Sequence, residues 1–234
     1  ECEGAYSEAQ VRLLTTVAAS LGVALENVRL FSETKEALEQ QTATAEVLQV
    51  ISGSVSDTRP VFAKILQSCE RLVPDIAAVT LTLMHDDQIV LADVRLRELE
   101  GDTPEGMAER ERQIRSGFPY PLPGSTIGAA LQAGRVIAYD DVLNGPDTPP
   151  REREIARRVG TSYSLMIAPL QWEESLIGAI GVTRLALGGF RAKECALLKT
   201  FADQAVIAIQ NARLFREAQE ARAQAEAANE AKSA

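Results

Sequence analysis

The hydrophobic positions change period several times along this chain, and each change marks an element. Residues 8–56 predict one long helix, with Gly22 as a tolerated weak point. Leu14, Val17, Leu21, Ala24, Val28 and Phe31 fall at alternating spacings of three and four, and Leu38 and Ala45 continue the seam with polar Lys35 and Thr42 between them. Leu48 and Val55 fit a seam shifted by one place, so the pattern is that of a coiled coil with a phase break. A helix of that length with a single apolar stripe needs a partner surface.

"SDTRP" stops this helix and starts another. Ser56 or Asp57 is placed to cap it, and Pro60 suits a first turn. Phe62, Ile65, Leu66, Cys69, Leu72 and Val73 then share one helical face, closed by Pro74. From 77 the period drops to two. "AAVTLTLMH" and "QIVLADV" flank the polar turn "HDDQ" and predict a hairpin. "EGMAERERQIRSG" predicts an exposed helix, and the prolines of "FPYPLPGS" a rigid loop. Ser125 or Thr126 caps a short helix ending at Gly134. "RVIAYDDV" predicts a strand, "REREIARRVG" a surface helix with a solvated charged face, and "SYSLMIAPLQ" and "LIGAIGVTRL" two strands joined by "WEES". A final helix begins near Arg191. Its seam is Leu198, Phe201, Ala205, Ala208, Ala212 and Phe215, followed by polar Gln219, Arg222, Glu226 and Asn229. Alternating hairpin strands with intervening helices predict an α+β fold: a central antiparallel sheet of about five or six strands, helices packed on it, and long helices at both ends.

The two end helices are related. "NVRLF" at 27–31 recurs as "NARLF" at 211–215, and over 6–33 ten residues are identical at an offset of 184 without a gap. The identities include polar Asn27, Arg29 and Glu33, matched by Asn211, Arg213 and Glu217. Two unrelated amphipathic helices share apolar spacing, but not polar identities in register. One domain type used twice in tandem is the expectation.

Bulk properties narrow the chemistry. A net charge of −9 works against nucleic-acid binding and against docking on anionic lipid. No uninterrupted run of eighteen apolar residues occurs, so no membrane insertion is expected. Cys2, Cys69 and Cys195 are far apart, with neither metal-ligand nor disulfide-framework spacing, which fits a reducing cytoplasm.

The layout of 57–215 resembles the GAF domain family, most specifically in "PLPGSTIGAALQAGRVIAYDDV", "SLMIAPLQWEESLIGAIGVTR" and "LLKTFADQAVIAIQNARLF". The resemblance implies small sensory domains of signalling proteins. It divides the chain into the last helix of a preceding GAF domain (1–32), a linking signalling helix (33–56), the GAF domain (57–215) and the start of a C-terminal signalling helix (216–234). The tail "AQAEAANEAKSA" resembles the segment that leads into a sensor histidine kinase. Parallel homodimers are implied, with Leu14, Val17, Leu21, Val28, Phe31, Leu38, Phe201, Ala208 and Phe215 on the dimer helices and an output domain of the same chain as the downstream partner. A ligand-free relay and the regulatory domain of a nucleotide cyclase are the alternative readings.

The resemblance also implies a small-molecule hollow over the sheet, for which Tyr120, Leu122, Ser125, Thr126, Ile127, Tyr139, Asp141, Tyr163, Ser164 and Met166 are the candidates. The cofactor is unknown. Covalent bilin is not expected, because none of the cysteines lies on a pocket-covering segment. Haem is not expected either, since the only histidine, His85, sits in a turn. The Asn-Lys, Phe, Asp-Glu signature of cyclic-nucleotide-binding relatives has no counterpart, although the helix start at 124–127 offers N–H groups to an anion. The clustered loop cysteines of methionine sulfoxide reductases are missing, so no catalytic residue and no metal ligand is expected. Of the paired carboxylates, Asp86–Asp87 and Glu173–Glu174 fall in hairpin turns, while Asp140–Asp141 follows a strand toward the expected pocket mouth.

Overall fold

The computed structural model describes residues 7–53, 57–173 and 175–233. The chain forms two compact units, divided between Thr42 and Ala43. Helix α1 (Glu8–Gly53) supplies all the described residues of the first unit except Ser7. Every side chain from Ser7 to Glu39 is exposed there. The expected stripe is 55–73% exposed at Leu14, Val17, Leu21, Val28, Phe31 and Leu38. Although uninterrupted apolar runs are short, α1 is long and apolar enough, by length and composition only, to cross a membrane, a test that core-facing helices also pass.

The second unit begins with the last turns of α1. Ala43, Val47 and Ile51 are buried, four residues apart, and Glu46 pairs with Lys64 at 2.7 Å and Arg71 at 3.3 Å. This face differs from the one expected. Leu48 is exposed, and Val55 lies outside the described residues. Helix α2 (Arg59–Leu72) follows. Its N-cap is Thr58, which makes no side-chain cap bond, while the Asp57 carboxylate accepts the Arg59 N–H at 3.0 Å; Ser56 lies outside the described residues.

Six strands make one antiparallel sheet in the order β3-β2-β1-β6-β5-β4. They are β1 (Ile76–His85), β2 (Gln88–Leu96), β3 (Tyr120–Pro121), β4 (Ile137–Tyr139), β5 (Ser164–Trp172) and β6 (Ser175–Arg184). Asp86 and Asp87 both take positive φ, which is what a two-residue hairpin turn demands. The proline-rich loop contributes more than rigidity, because Tyr120 and Pro121 pair with Ile89 and Gln88 as the edge strand β3. Gly178 lies where β6 crosses β1 so closely that a Cβ would collide with the Thr82 carbonyl.

Period-two alternation sends neighbouring strand residues to opposite faces. On one face Met166, Ala168, Leu170, Ile180 and Val182 pack with the end of α1, α2 and α6 (Ala192–Ser233). On the other, Leu165, Ile167 and Ala179 pack under α4 (Thr126–Ala133) and α5 (Pro150–Val159). Helix α3 (Pro104–Ser116) buries none of its side chains, as expected from its charge. Phe201 and Ala208 belong to the first of these cores, fully and almost fully buried within the chain itself. Their place is intramolecular packing rather than a dimer seam. Farther along α6, Leu214 and Phe215 are exposed, as are all side chains from Arg216 to Gln224. That accords with the polar seam of the tail; the Asn229 side chain lies outside the described residues.

Glu194 anchors the start of α6. Its carboxylate accepts the Arg191 N–H at 2.6 Å, as a first-turn glutamate does in a capping box, and an Arg184 N–H at 2.7 Å. Arg184 also donates to the Pro74 carbonyl at 3.2 Å and lies 4.5 Å above the Phe190 ring. Burial works to raise the Glu194 carboxyl, but the bonds from Arg191 and Arg184 and the charges of both arginines outweigh it and hold it below the ordinary range.

Candidate functional site

The helix-covered face carrying Leu165 and Ile167 gathers most of the sequence-expected pocket residues. Tyr120 and Tyr139 reach it from the edge strands, Tyr163 from the approach to β5, and Leu122 and Ile127 from the segment covering the sheet. Ser125 is the N-cap of α4. Its hydroxyl accepts the Gly128 N–H at 3.1 Å and donates to the Leu122 carbonyl at 2.7 Å. Gly128 leaves little room for a Cβ, which would lie 2.8 Å from that carbonyl. Met166 is the exception. It projects to the opposite face, among α2 and α6, because β5 alternates and its neighbours Leu165 and Ile167 take the pocket side.

Asp141 and Ser164 serve the backbone. Asp141 accepts from the Ser162 hydroxyl at 2.5 Å, from the Asn144 amide side chain at 3.0 Å and from the Asn144 N–H at 2.9 Å. Those bonds hold its carboxyl down to about 2. The Ser164 hydroxyl lies 2.7 Å from the Asp140 carbonyl, 3.0 Å from that of Ala186 and 3.1 Å from that of Gly188, fastening the loop after β6 to the one after β4. Asp140 itself is exposed.

The polar centre of this face comes from the helix expected to be a solvated surface. Glu152, in the first turn of α5, is 4% exposed, and Ala156 one turn later is fully buried. One carboxylate oxygen, Oε1, accepts from the Arg151 guanidinium at 3.1 Å and from the Thr126 hydroxyl at 3.3 Å. The other, Oε2, is buried without a hydrogen-bond partner among the described residues. Burial pushes the Glu152 carboxyl up, against the charge and hydrogen bond of Arg151. Arg151 donates to the Gly117 carbonyl at 2.7 Å and stacks 3.5 Å above the Tyr120 ring. Phe118 lies 5.1 Å from the same ring. Burial also raises the phenols of Tyr120, Tyr139 and Tyr163, the last to about 12, and the Glu152 charge adds to the push on all three. Arg153 donates to the Gly145 and Thr148 carbonyls at 2.8 and 3.2 Å and pins the loop leading into α5. Arg151, Glu152 and Arg153 were not among the expected site residues. The available signal was the four-residue spacing from Glu152 to Ala156, which puts both on one helical face.

Cys69 is fully buried, and burial drives its thiol far up, away from thiolate chemistry. Cys195 is partly buried and also raised; Cys2 lies outside the described residues. His85 is the last residue of β1, paired with Gln88 beside the turn, and its side chain is exposed. No cluster of potential metal ligands occurs among the described residues. An open groove of about 660 Å³ lies between the β5–β6 turn and α6, bordered by Trp172, Ile177, Ile207 and Leu214. None of the expected pocket residues borders it.

The sequence model described as "GAF domain" matches residues 57–209. The chain belongs to the GAF domain family. GAF is a regulatory and sensory fold found in signalling proteins. Solved GAF structures resemble this chain in fold. The GAF domain of a phosphoenolpyruvate-protein phosphotransferase from Coxiella burnetii aligns at a TM-score of 0.57 with 16% identity, covering 77% of this chain and 98% of its own. The GAF domain of a two-component sensor histidine kinase from Bacillus halodurans aligns at 0.51 with 15% identity, covering 68% and 98%. A free methionine-R-sulfoxide reductase from Neisseria meningitidis, in complex with its substrate, aligns at 0.56 with 18% identity, covering 77% and 93%. No curated protein matches the chain.

Proposed function

We propose that this GAF domain is the non-catalytic sensory and regulatory module of a multidomain, cytoplasmic bacterial signalling protein. It binds a small molecule over the face centred on Glu152 and relays the change along its helices to a C-terminal output domain, a histidine kinase in our reading. One observation carries the sensing role. A buried Glu152 carboxylate oxygen without a partner among the described residues, on the face that Tyr120, Tyr139 and Tyr163 line, is the kind of polar group that a bound ligand satisfies. Dimerisation through parallel helices belongs to the same proposal, with Phe31, Leu38 and Phe215 among the expected dimer-helix residues that remain exposed. Two packings of such helices, close in energy, would form the switch.

A ligand-free relay is the second reading. Tyr120 and Tyr139 are each 7% exposed, which favours it, because side chains that fill the hollow leave no room for a guest. Native mass spectrometry of the protein as purified separates the two. A dimer with a stoichiometric small-molecule adduct supports sensing. A bare dimer that stays bare in a metabolite screen supports the relay, and a monomer removes the helix-dimer mechanism.

A further inference from the structure

The exposed stripe of α1 reproduces, position for position, the stripe that α6 buries. At the offset of 184, Leu14 and Val17 match Leu198 and Phe201; Leu21 and Val28 match Ala205 and Ala212. All four α6 partners are at most 3% exposed, and Leu198, Phe201 and Ala205 pack in the core with the sheet and α2 of their own domain, whereas the α1 residues are 55–68% exposed. The solvent sides correspond as well. Val23 and Leu30 match Ile207 and Leu214, which α6 leaves exposed. Arg29 reaches Glu33 at 3.8 Å as Arg213 reaches Glu217 at 2.7 Å. Both faces of the helix are thus kept, inner and outer, in one register. A two-stranded seam would not require this, since it constrains only the stripe and leaves the outer face free.

We infer that Leu14, Val17, Leu21 and Val28 cover the sheet of a second GAF domain, supplied by chain upstream of Glu1. They are not a coiled-coil seam between copies. The hydropathy that fits this helix for a membrane then has a different origin. A helix that closes a domain carries a core-facing stripe, and that stripe passes the same test of length and composition. Side-chain volume is exchanged in a way suited to a related but distinct sheet: Val17 stands for a larger Phe201, and Leu21 and Val28 for smaller alanines.

The test compares residues 1–234 with the same chain extended upstream along its reading frame by about 150 residues, one domain length. Amide hydrogen exchange is followed over residues 12–28. Slowing by roughly 100-fold or more in the extended chain, lost on Leu21→Glu while residues 196–212 keep their protection, is the expected result. An upstream segment without a sheet domain overturns the inference. So does exchange over 12–28 that is equal in the two chains. A dimer of residues 1–234 that Leu21→Glu dissociates overturns it too, because the stripe would then be held by a second copy.

Discussion

Replacing Glu194 by alanine should loosen the whole start of α6. The carboxylate takes two short hydrogen bonds, 2.6 Å from the Arg191 N–H and 2.7 Å from Arg184, and its side chain is 5% exposed against 11% for Arg184. Removing one partner of such a buried pair costs about 3–5 kcal/mol, mostly because the other charge stays behind. Arg184 retains the Pro74 carbonyl and the Phe190 ring, so the lower end applies, about 3 kcal/mol. In a domain of this size that lowers the melting temperature by roughly 6–12 °C. Urea unfolding and a thermal scan read it, and Arg184→Met completes a double-mutant cycle. The pH dependence has a definite sign. The Glu194 carboxyl is depressed in the fold, so its contribution is full above the ordinary carboxylate value of about 4.3 and fades as pH falls through the lower folded value. The gap between wild type and Glu194→Ala should therefore be widest at neutral pH and close in acid. A loss under about 1 kcal/mol, the range of a surface pair, or strict additivity with Arg184→Met, would refute the reasoning.

Three further outcomes are expected. Glu152→Gln should flatten the acid side of the stability profile: the folded carboxyl is raised, so ionised Glu152 weakens the fold as pH rises above its unfolded value, and urea midpoints at about pH 4.5 and 7.5 should differ less in the variant than in wild type. Gly178→Ala should cost at least about 2 kcal/mol, because the new methyl meets the Thr82 backbone and one of the central strands has to move; chemical denaturation measures it. Met166→Ala should destabilise by about 2–5 kcal/mol without altering any adduct seen by native mass spectrometry, since its side chain lies across the sheet from the Glu152 face.

The strands were legible because period-two alternation and turn residues coincide, as at "HDDQ" between β1 and β2. Helix α2 was legible for the matching reason, a stripe at 3.6-residue spacing. Strand β3 was not, since two residues paired at an edge carry no period of their own. The face of Met166 was missed because Leu165, Met166 and Ile167 are all apolar. A strand buried on both sides loses the alternation that would assign its faces. Glu152 was missed because charge in "REREIARR" argues for solvent, and only tertiary packing against α4, with Thr126 bonded to it, makes one of those charges internal. The stripes of the end helices were legible as apolar seams, exposed on α1 and largely buried on α6. What the pattern could not distinguish was a partner helix from the chain's own sheet, and Phe201 and Ala208 belong to the sheet side.

The order of the strands has a consequence for synthesis. The middle of the sheet joins β1 to β6, so Val79 pairs with Val182, a residue translated 103 positions later. Each hairpin can form as it emerges, but until the ribosome has delivered β6 the inner edge of β1 is an unpaired row of N–H and C=O groups beside a strongly apolar strand. A truncation anywhere between β2 and β6 leaves that edge permanently open. Nascent chains stalled in this interval are the species that should recruit chaperones or self-associate.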